Sequence, residues 1–294
     1  MKFAKLIEPY RVTKGSRFRL KDIDPGDTFG MGDGLKPKSR QLLIDGVAWL
    51  TEEQEKLYAQ DQRSLLLIFQ AMDAAGKDGT IKHVMNGVDP QGCQVTSFKQ
   101  PSEEELDHDW MWRCWGALPE CGRIGIFNRS YYEEVLVVRV HKSILASQKL
   151  PDSVRTPHIF RERLGDIRRF EDYLTRNGTT VLKFFLHVSR EEQKRRFMER
   201  LDEPGKNWKL ALGDVREREH WDDYMAAYED AIRATATPAA PWYVVPADNK
   251  WFTRTVVCAA IVEAMKGLDL SLPKPTAARL AELARARSLL RREG

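Results

Sequence analysis

Five short, continuously apolar runs separated by helical patterns limit what this chain can fold into: SLLLIF near 64–69, QVTSF near 94–98, RIGIF near 123–127, TVLKFFLHV near 180–188 and WYVVP near 242–246. Unbroken apolar character, rather than alternation, marks strands buried on both faces. Strands of that kind are joined by crossover helices, so the spacing predicts an α/β fold with a five-stranded parallel sheet flanked by helices.

Length alone, at 294 residues, leaves one large domain or two small ones open. With 42% hydrophobic and 31% charged residues the chain has the composition of a folded protein and not of a disordered one. Its 47 Lys and Arg against 43 Asp and Glu give a surplus of only +4, so the distribution of charge says more than the total. Cys93, Cys114, Cys121 and Cys258 form no CxxC pair, which argues against a zinc site or a disulfide framework and for reduced thiols. The opening MKFAKLIEPYRVTKG has no signal-peptide core, and no window reaches the ~18 apolar residues of a membrane span. A cytoplasmic protein without a membrane partner is expected.

Residues 1 to about 40, with the turn-rich DPGDTFGMGDG, read as an extended arm outside the core. The spacing of Leu42, Leu43, Val47, Leu50 and Leu57 predicts a helix over Gln41–Gln62. Ser102 with Glu105, and Ser189 with Glu192, each fit a capping box, and Asn177-Gly178 closes the helical stretch that begins after Pro157. Trp110, Trp112 and Trp115, sharing one helix with Met111, read as core packing rather than base stacking. His83, His108, His141, His187 and His220 form no motif, and Asp248 after the last strand reads as a helix cap. The tail TAARLAELARARSLLRREG is a basic amphipathic helix, read as packing or subunit contact before polyanion binding.

The run LIFQAMDAAGKDGTIKHV sets Gly76-Lys77 in a small-residue loop between a strand and a helix. Loop amides and the positive end of a helix attract phosphate, and a lysine at the lip adds a mobile charge. Against G-x-x-x-x-G-K-[ST], Ala71 replaces the first glycine and Asp78 the hydroxyl, so a cation would need a carboxylate, from Asp73 or Asp78. From the loop alone, a phosphate cradle and an ordinary strand-to-helix turn fit equally well.

The third run leads into Asn128, Arg129 and Glu133, which would sit beside that loop at the carboxyl ends of the strands. Arg129 would neutralise a phosphoryl group and Glu133 would contact a nucleotide or second ion; an ordinary surface ion pair is the bland alternative. After the fourth run, Lys194, Arg195, Arg196, Arg200, Lys206, Lys209, Arg216 and Arg218 cluster around a Pro-Gly turn and Trp208. Two basic helices meeting there form either a lid over phosphates or a solvated hairpin laced with Glu-Arg pairs.

Taken together, AMDAAGKDGTIKHV, DWMWRCWGALP, IFNRSYYEEVLVVRVH, KRRFMERLDEPGKNWKL and PWYVVPADNKW resemble the polyphosphate kinase 2 family, from about Gln62 to Met265. The resemblance implies a P-loop kinase-like core with a helical lid: 1–61 as arm and leading helix, 62–270 as core with a lid at about 190–220, and 271–294 as a basic tail. It implies catalytic roles for Asp73, Lys77, Arg129 and Arg200. Phosphate or polyphosphate contacts are implied for Ala74, Ala75, Gly76, Asp78, Gly79, Lys82, Arg113, Lys206 and Lys209, and nucleotide contacts for Asn128 and Glu133. Asp73 and Asn128 would hold Mg²⁺, or Mn²⁺ in its place, although many members carry Asp where this chain has Asn128.

The implied reaction moves phosphoryl groups between inorganic polyphosphate and AMP, ADP or ATP, with no nucleic acid and with a homo-oligomer, dimer or tetramer, as the assembly. Ala71, Asn128 and Glu133 resemble the class III branch, which uses both monophosphates and diphosphates. The rivals are an ATP-dependent nucleoside or nucleotide kinase on the same fold, and a noncatalytic polyanion or nucleic-acid binder.

Overall fold

The computed structural model describes residues 3–293, apart from the side chains of Asp33 and Lys209. Among the described residues one sheet has six strands: β1 (Arg11–Val12), β2 (Ser64–Ala71), β3 (Cys93–Ser97), β4 (Ile124–Asn128), β5 (Thr179–His187) and β6 (Trp242–Pro246). Their order is β1-β6-β5-β2-β4-β3. Strands β2 to β6 are parallel, as the five apolar runs predict. The sixth strand corrects the count: β1 pairs antiparallel with β6, Arg11 opposite Tyr243 and Val12 opposite Trp242. Two residues are too few to carry a periodic signal.

Every residue of β2 and of β6 is buried, because helices cover both faces of the sheet. The chain runs from β2 out to β3 and back to β4 on one side, then crosses to β5 and β6 on the other. The order therefore reverses at β2, and the crevice beyond its carboxyl end is where an open α/β sheet binds ligands. The leading helix begins earlier than its apolar pattern, at Lys36, and ends at Gln60 with Asp61 left-handed as its cap. It lies close to the buried helix Lys250–Lys266, since a Cβ at Gly46 would come within 2.6 Å of Cys258 Sγ.

Other expectations need correcting. The arm is not outside the core: Leu6, Tyr10 and Leu20 are buried in it, and Tyr10 Oη donates to Asp27 at 2.5 Å. Apolar residues at 6, 7, 10 and 12 are too irregular to read as an element, yet each finds the sheet edge or the Lys250–Lys266 helix. The tryptophans do not share a helix core. Trp110 precedes the four-residue helix Trp112–Trp115, where Trp112 and Trp115 are exposed while Met111 and Cys114 take the buried places. Trp115 instead covers Phe170 and Tyr173 from outside. The tail is a helix, Ala277–Leu290, capped by Thr276, but every one of its residues is exposed. Among the described residues no helix is long and apolar enough to cross a membrane.

One charge pair sits fully inside the core. Lys183 Nζ on β5 donates to Glu171 Oε2 at 2.5 Å and to Thr235 O at 2.8 Å, while Glu171 Oε1 accepts from Tyr131 at 3.0 Å and Tyr132 at 2.8 Å. Burial lowers the pKa of Lys183 and raises that of Glu171, each held back by its partner. Such a pair is costly to break from one side, because the remaining charge stays buried. Lys183→Met is expected to cost about 3–5 kcal/mol. Adding Glu171→Leu should recover part of that loss in urea unfolding; a double variant as unstable as the sum of the two singles would show that the pair is not coupled.

Candidate functional site

At the carboxyl end of β2 the chain leaves the sheet through Met72–Gly76 and enters the helix Lys77–Val84. Ala74 and Gly76 are left-handed, with φ of 59° and 105°. A Cβ at Gly76 would meet nothing within 4 Å, so backbone conformation and not space calls for glycine there. Holding Ala74 left-handed costs of order 1–3 kcal/mol, which surrounding contacts must offset. The first amides of the Lys77–Val84 helix have no intrahelical acceptor and face outward at its positive end.

The next strand end supplies the opposite wall. Arg129, directly after β4, is also left-handed at φ 65°, with its amide donating to Phe69 O at 3.0 Å. This turn aims its guanidinium at Asp73, 3.5 Å away, with Glu133 at 3.8 Å on the other side. Burial opposes the Arg129 charge, but Glu133 and Asp73 outweigh it and the pKa is raised. Lys77 is half-buried and its Nζ donates to Ala71 O at 3.0 Å. Burial lowers its pKa, and Asp73 works against that shift. Glu133 is pushed up by burial and pulled back by Arg129 and Lys77. Asn128 Nδ2 donates to Asp78 Oδ1 at 2.7 Å; an aspartate at 128 would set two carboxylates face to face.

These residues border one open cleft of 690 Å³, lined by Met72 through Gly79, Ser97 through Gln100, Asn128, Arg129, Arg200, Trp208 and Asp214. A smaller cleft of 340 Å³ meets it at Asp73 and Arg129 and runs inward past Glu133, Glu217, Tyr224 and Tyr228. The structure thus brings together Asp73, Ala74, Ala75, Gly76, Lys77, Asp78, Gly79, Asn128, Arg129 and Arg200, with Glu133 in the adjoining cleft.

Three other expected residues do not line these clefts. Lys82 is exposed farther along its helix. Arg113 donates to Lys99 O at 2.8 Å, lies over Phe98, and borders a separate cavity. Lys206 is exposed and paired with Glu203. The side chain of Lys209 lies outside the described residues.

The basic hairpin is the helix Arg190–Asp202, a turn, and the short helix Leu212–Arg216. Both readings of it hold in part. Arg195 pairs with Glu192 and Glu199 on the solvent side, whereas Arg200 reaches the cleft. Its capping box is only half present: Ser189 Oγ accepts from Glu192 N, but the Glu192 carboxylate is taken by Arg195 and Arg196. Asp248 Oδ1 accepts from Ser189 N at 2.8 Å in its place, so Asp248 does cap a helix, one far away in sequence. The Ser102 box forms in full.

Sequence reasoning does not single out Gln193 and reads Arg196 only as one charge of the basic cluster. Arg196 is almost fully buried and points at the loop backbone, and Gln193 Nε2 donates to Asp73 O at 2.9 Å. The one signal was the i,i+4 spacing of Glu192 and Arg196, which marks a helix pair without telling which face it occupies.

Residues 36–272 match the family model described as polyphosphate kinase 2 (PPK2). The chain is 51% identical over 256 residues to the ADP-polyphosphate phosphotransferase of Rhodopseudomonas palustris, covering 87% of this chain and 89% of that protein. It is 44% identical over 276 residues to the AMP/ADP-polyphosphate phosphotransferase of Meiothermus ruber, covering 92% and 97% respectively. The crystal structure of polyphosphate kinase 2 from Arthrobacter aurescens superposes with a TM-score of 0.85 at 42% identity, over 97% of both chains. With a family match over most of its length and relatives this similar, the chain belongs to the polyphosphate kinase 2 family.

Proposed function

We propose that the protein transfers phosphoryl groups between inorganic polyphosphate and AMP and ADP, reversibly and with a divalent cation. The observation that carries this reading is the meeting of the loop after β2 with Lys77, Arg129 and Arg200 around one open cleft of 690 Å³. A terminal phosphate oxygen of the nucleotide attacks the end phosphorus of polyphosphate; one P–O bond forms, the bridging P–O bond breaks, and the shortened polyphosphate leaves. The nucleophile is already ionised near neutral pH, so no strong base is required. Lys77 and the loop amides hold the transferred group, while Arg129 and Arg200 offset charge on the two chains.

The donor set fits a hard cation. Among the described residues no cluster of three acidic, His or Cys side chains could enclose a metal. Asp73 and the Asn128 oxygen, freed by the amide bond to Asp78, offer the one or two oxygens that Mg²⁺ takes while keeping water and phosphate ligands. Mn²⁺ suits the same oxygens. Bound there, the cation would offset phosphate charge and bring the two anions into line.

The two relatives differ in name over AMP, and Asn128 with Glu133 favours use of both nucleotides. Supplied with polyphosphate and Mg²⁺, the protein should convert AMP to ADP and ADP to ATP, followed by chromatography. Inert AMP with reactive ADP would remove the class III assignment, and turnover with ATP as the only donor would remove polyphosphate altogether. Lys77→Ala should lower turnover by ~10²-fold or more, the scale of losing one preorganised donor. Near-normal turnover would take Lys77 out of the mechanism. Arg200→Ala should raise the polyphosphate KM and flatten its dependence on salt, since each phosphate contact displaces counterions. An unchanged salt slope would leave Arg200 as part of a solvated hairpin.

A further inference from the structure

Around the loop after β2, four carbonyls are taken by side chains, while Met72 O and Gly76 O accept from Ala75 N and Thr80 N. Ala71 O accepts from Lys77, Asp73 O from Gln193 at 2.9 Å, and both Ala74 O and Ala75 O from Arg196 Nη1 at 2.9 Å. Arg196 also donates through Nη2 to Ala247 O at 2.6 Å and Asp248 O at 3.0 Å, and through Nε to Glu192 at 2.7 Å. One guanidinium therefore ties together the loop after β2, the loop after β6 and the lid helix. At 3% exposure it cannot meet a solvent-borne anion, unlike the neighbouring Arg195.

Within a peptide plane the C=O and the following N–H point in opposite directions. Fixing the carbonyls of Asp73 and Ala75 towards Gln193 and Arg196 turns the amides of Ala74 and Gly76 the other way, and both residues line the cleft. The same bonds hold the left-handed Ala74, a conformation that relaxes unless neighbours determine it. We infer that Arg196, assisted by Gln193, is a positioning residue that keeps the loop amides facing the cleft, acting through backbone carbonyls and never touching substrate. This rests on the phosphate-binding reading above. Lysine cannot replace it, because a single ammonium has no fork to span the carbonyls of residues 74 and 75 and those of 247 and 248 at once.

The test is calorimetric binding of inorganic tripolyphosphate, with steady-state kinetics alongside, on the wild type, Arg196→Lys and Gln193→Met. The expected result is a folded Arg196→Lys with weaker tripolyphosphate binding and ~10²-fold lower kcat/KM, the scale of misplacing a site by about an ångström. In Arg196→Ala, added guanidinium should restore part of the binding, which a loss of stability alone would not allow. Gln193→Met, which removes the bond to Asp73 O together with the one that Gln193 Oε1 accepts from Arg218 and leaves Arg196 in place, should show a smaller loss in the same direction and serves if Arg196→Lys does not fold. Equal binding and turnover in wild type and a folded Arg196→Lys would overturn the positioning role. No binding by the wild type would instead overturn the phosphate site on which that role depends.

Discussion

A backbone that offers its amides to a ligand must dispose of its carbonyls elsewhere, and the loop between Ala71 and Lys77 is built around that constraint. Apart from Met72 O and Gly76 O, which accept from Ala75 N and Thr80 N, its carbonyls are taken by Lys77, Gln193 and Arg196, two of which belong to the helix Arg190–Asp202. The first two turns of the Arg190–Asp202 helix are therefore part of the loop's foundation rather than a free flap. Gln193, Arg196 and Phe197 are buried, while Met198 and Leu201 just beyond are exposed. The left-handed Ala74 and Arg129 are tolerated because the strands beneath them, β2 and β4, sit inside a parallel sheet.

The second strand end has its own anchor. Arg129 is followed within three residues by Tyr131 and Tyr132, whose hydroxyls both donate to Glu171, and Glu171 in turn meets Lys183 on β5. The Tyr132 hydroxyl oxygen also lies 2.8 Å from Thr235 Oγ1, at the end of the helix Trp221–Thr235. Both chain segments that flank the cleft are thus tied to the core by buried polar bonds, one through Arg196 and one through Glu171. A buried ion pair is weak evidence for net stability, but its directionality fixes the turn from which Arg129 and Glu133 project.

Much of this was legible in the sequence. Five strands were readable because burial on both faces writes unbroken apolar runs, and the loop was readable because left-handed turns ask for small residues at 74 to 76. Strand β1 was not, being two residues whose pairing with β6 is decided by register and not by local pattern. Arg196 was counted with its neighbours as lid charge because a sequence shows that a residue is basic but not which way it faces. Trp112 and Trp115 misled for the converse reason: a four-residue helix can bury one side only, and Met111 and Cys114 occupy it. The cap given by Asp248 to Ser189 spans 59 residues and leaves no local trace.

The cleft carries charges of both signs, which limits what it can bind. Asp73, Asp78 and Asp214 stand among Lys77, Arg129 and Arg200. A site for a bare polyanion gains nothing from three carboxylates, since each repels the ligand, and the ion pair of Asp73 with Arg129 at 3.5 Å leaves both side chains part-exposed. A polyanion that arrives with a divalent cation reverses the sign of that interaction, and the acids then favour the complexed form over the free one. Asn128 fits the same logic, because it quiets Asp78 by donating a hydrogen bond and leaves Asp73 as the carboxylate with an open face. On the proposed reading, in which the ligand is a metal complex, the acidic residues that count against phosphate binding when considered alone would favour the complexed form.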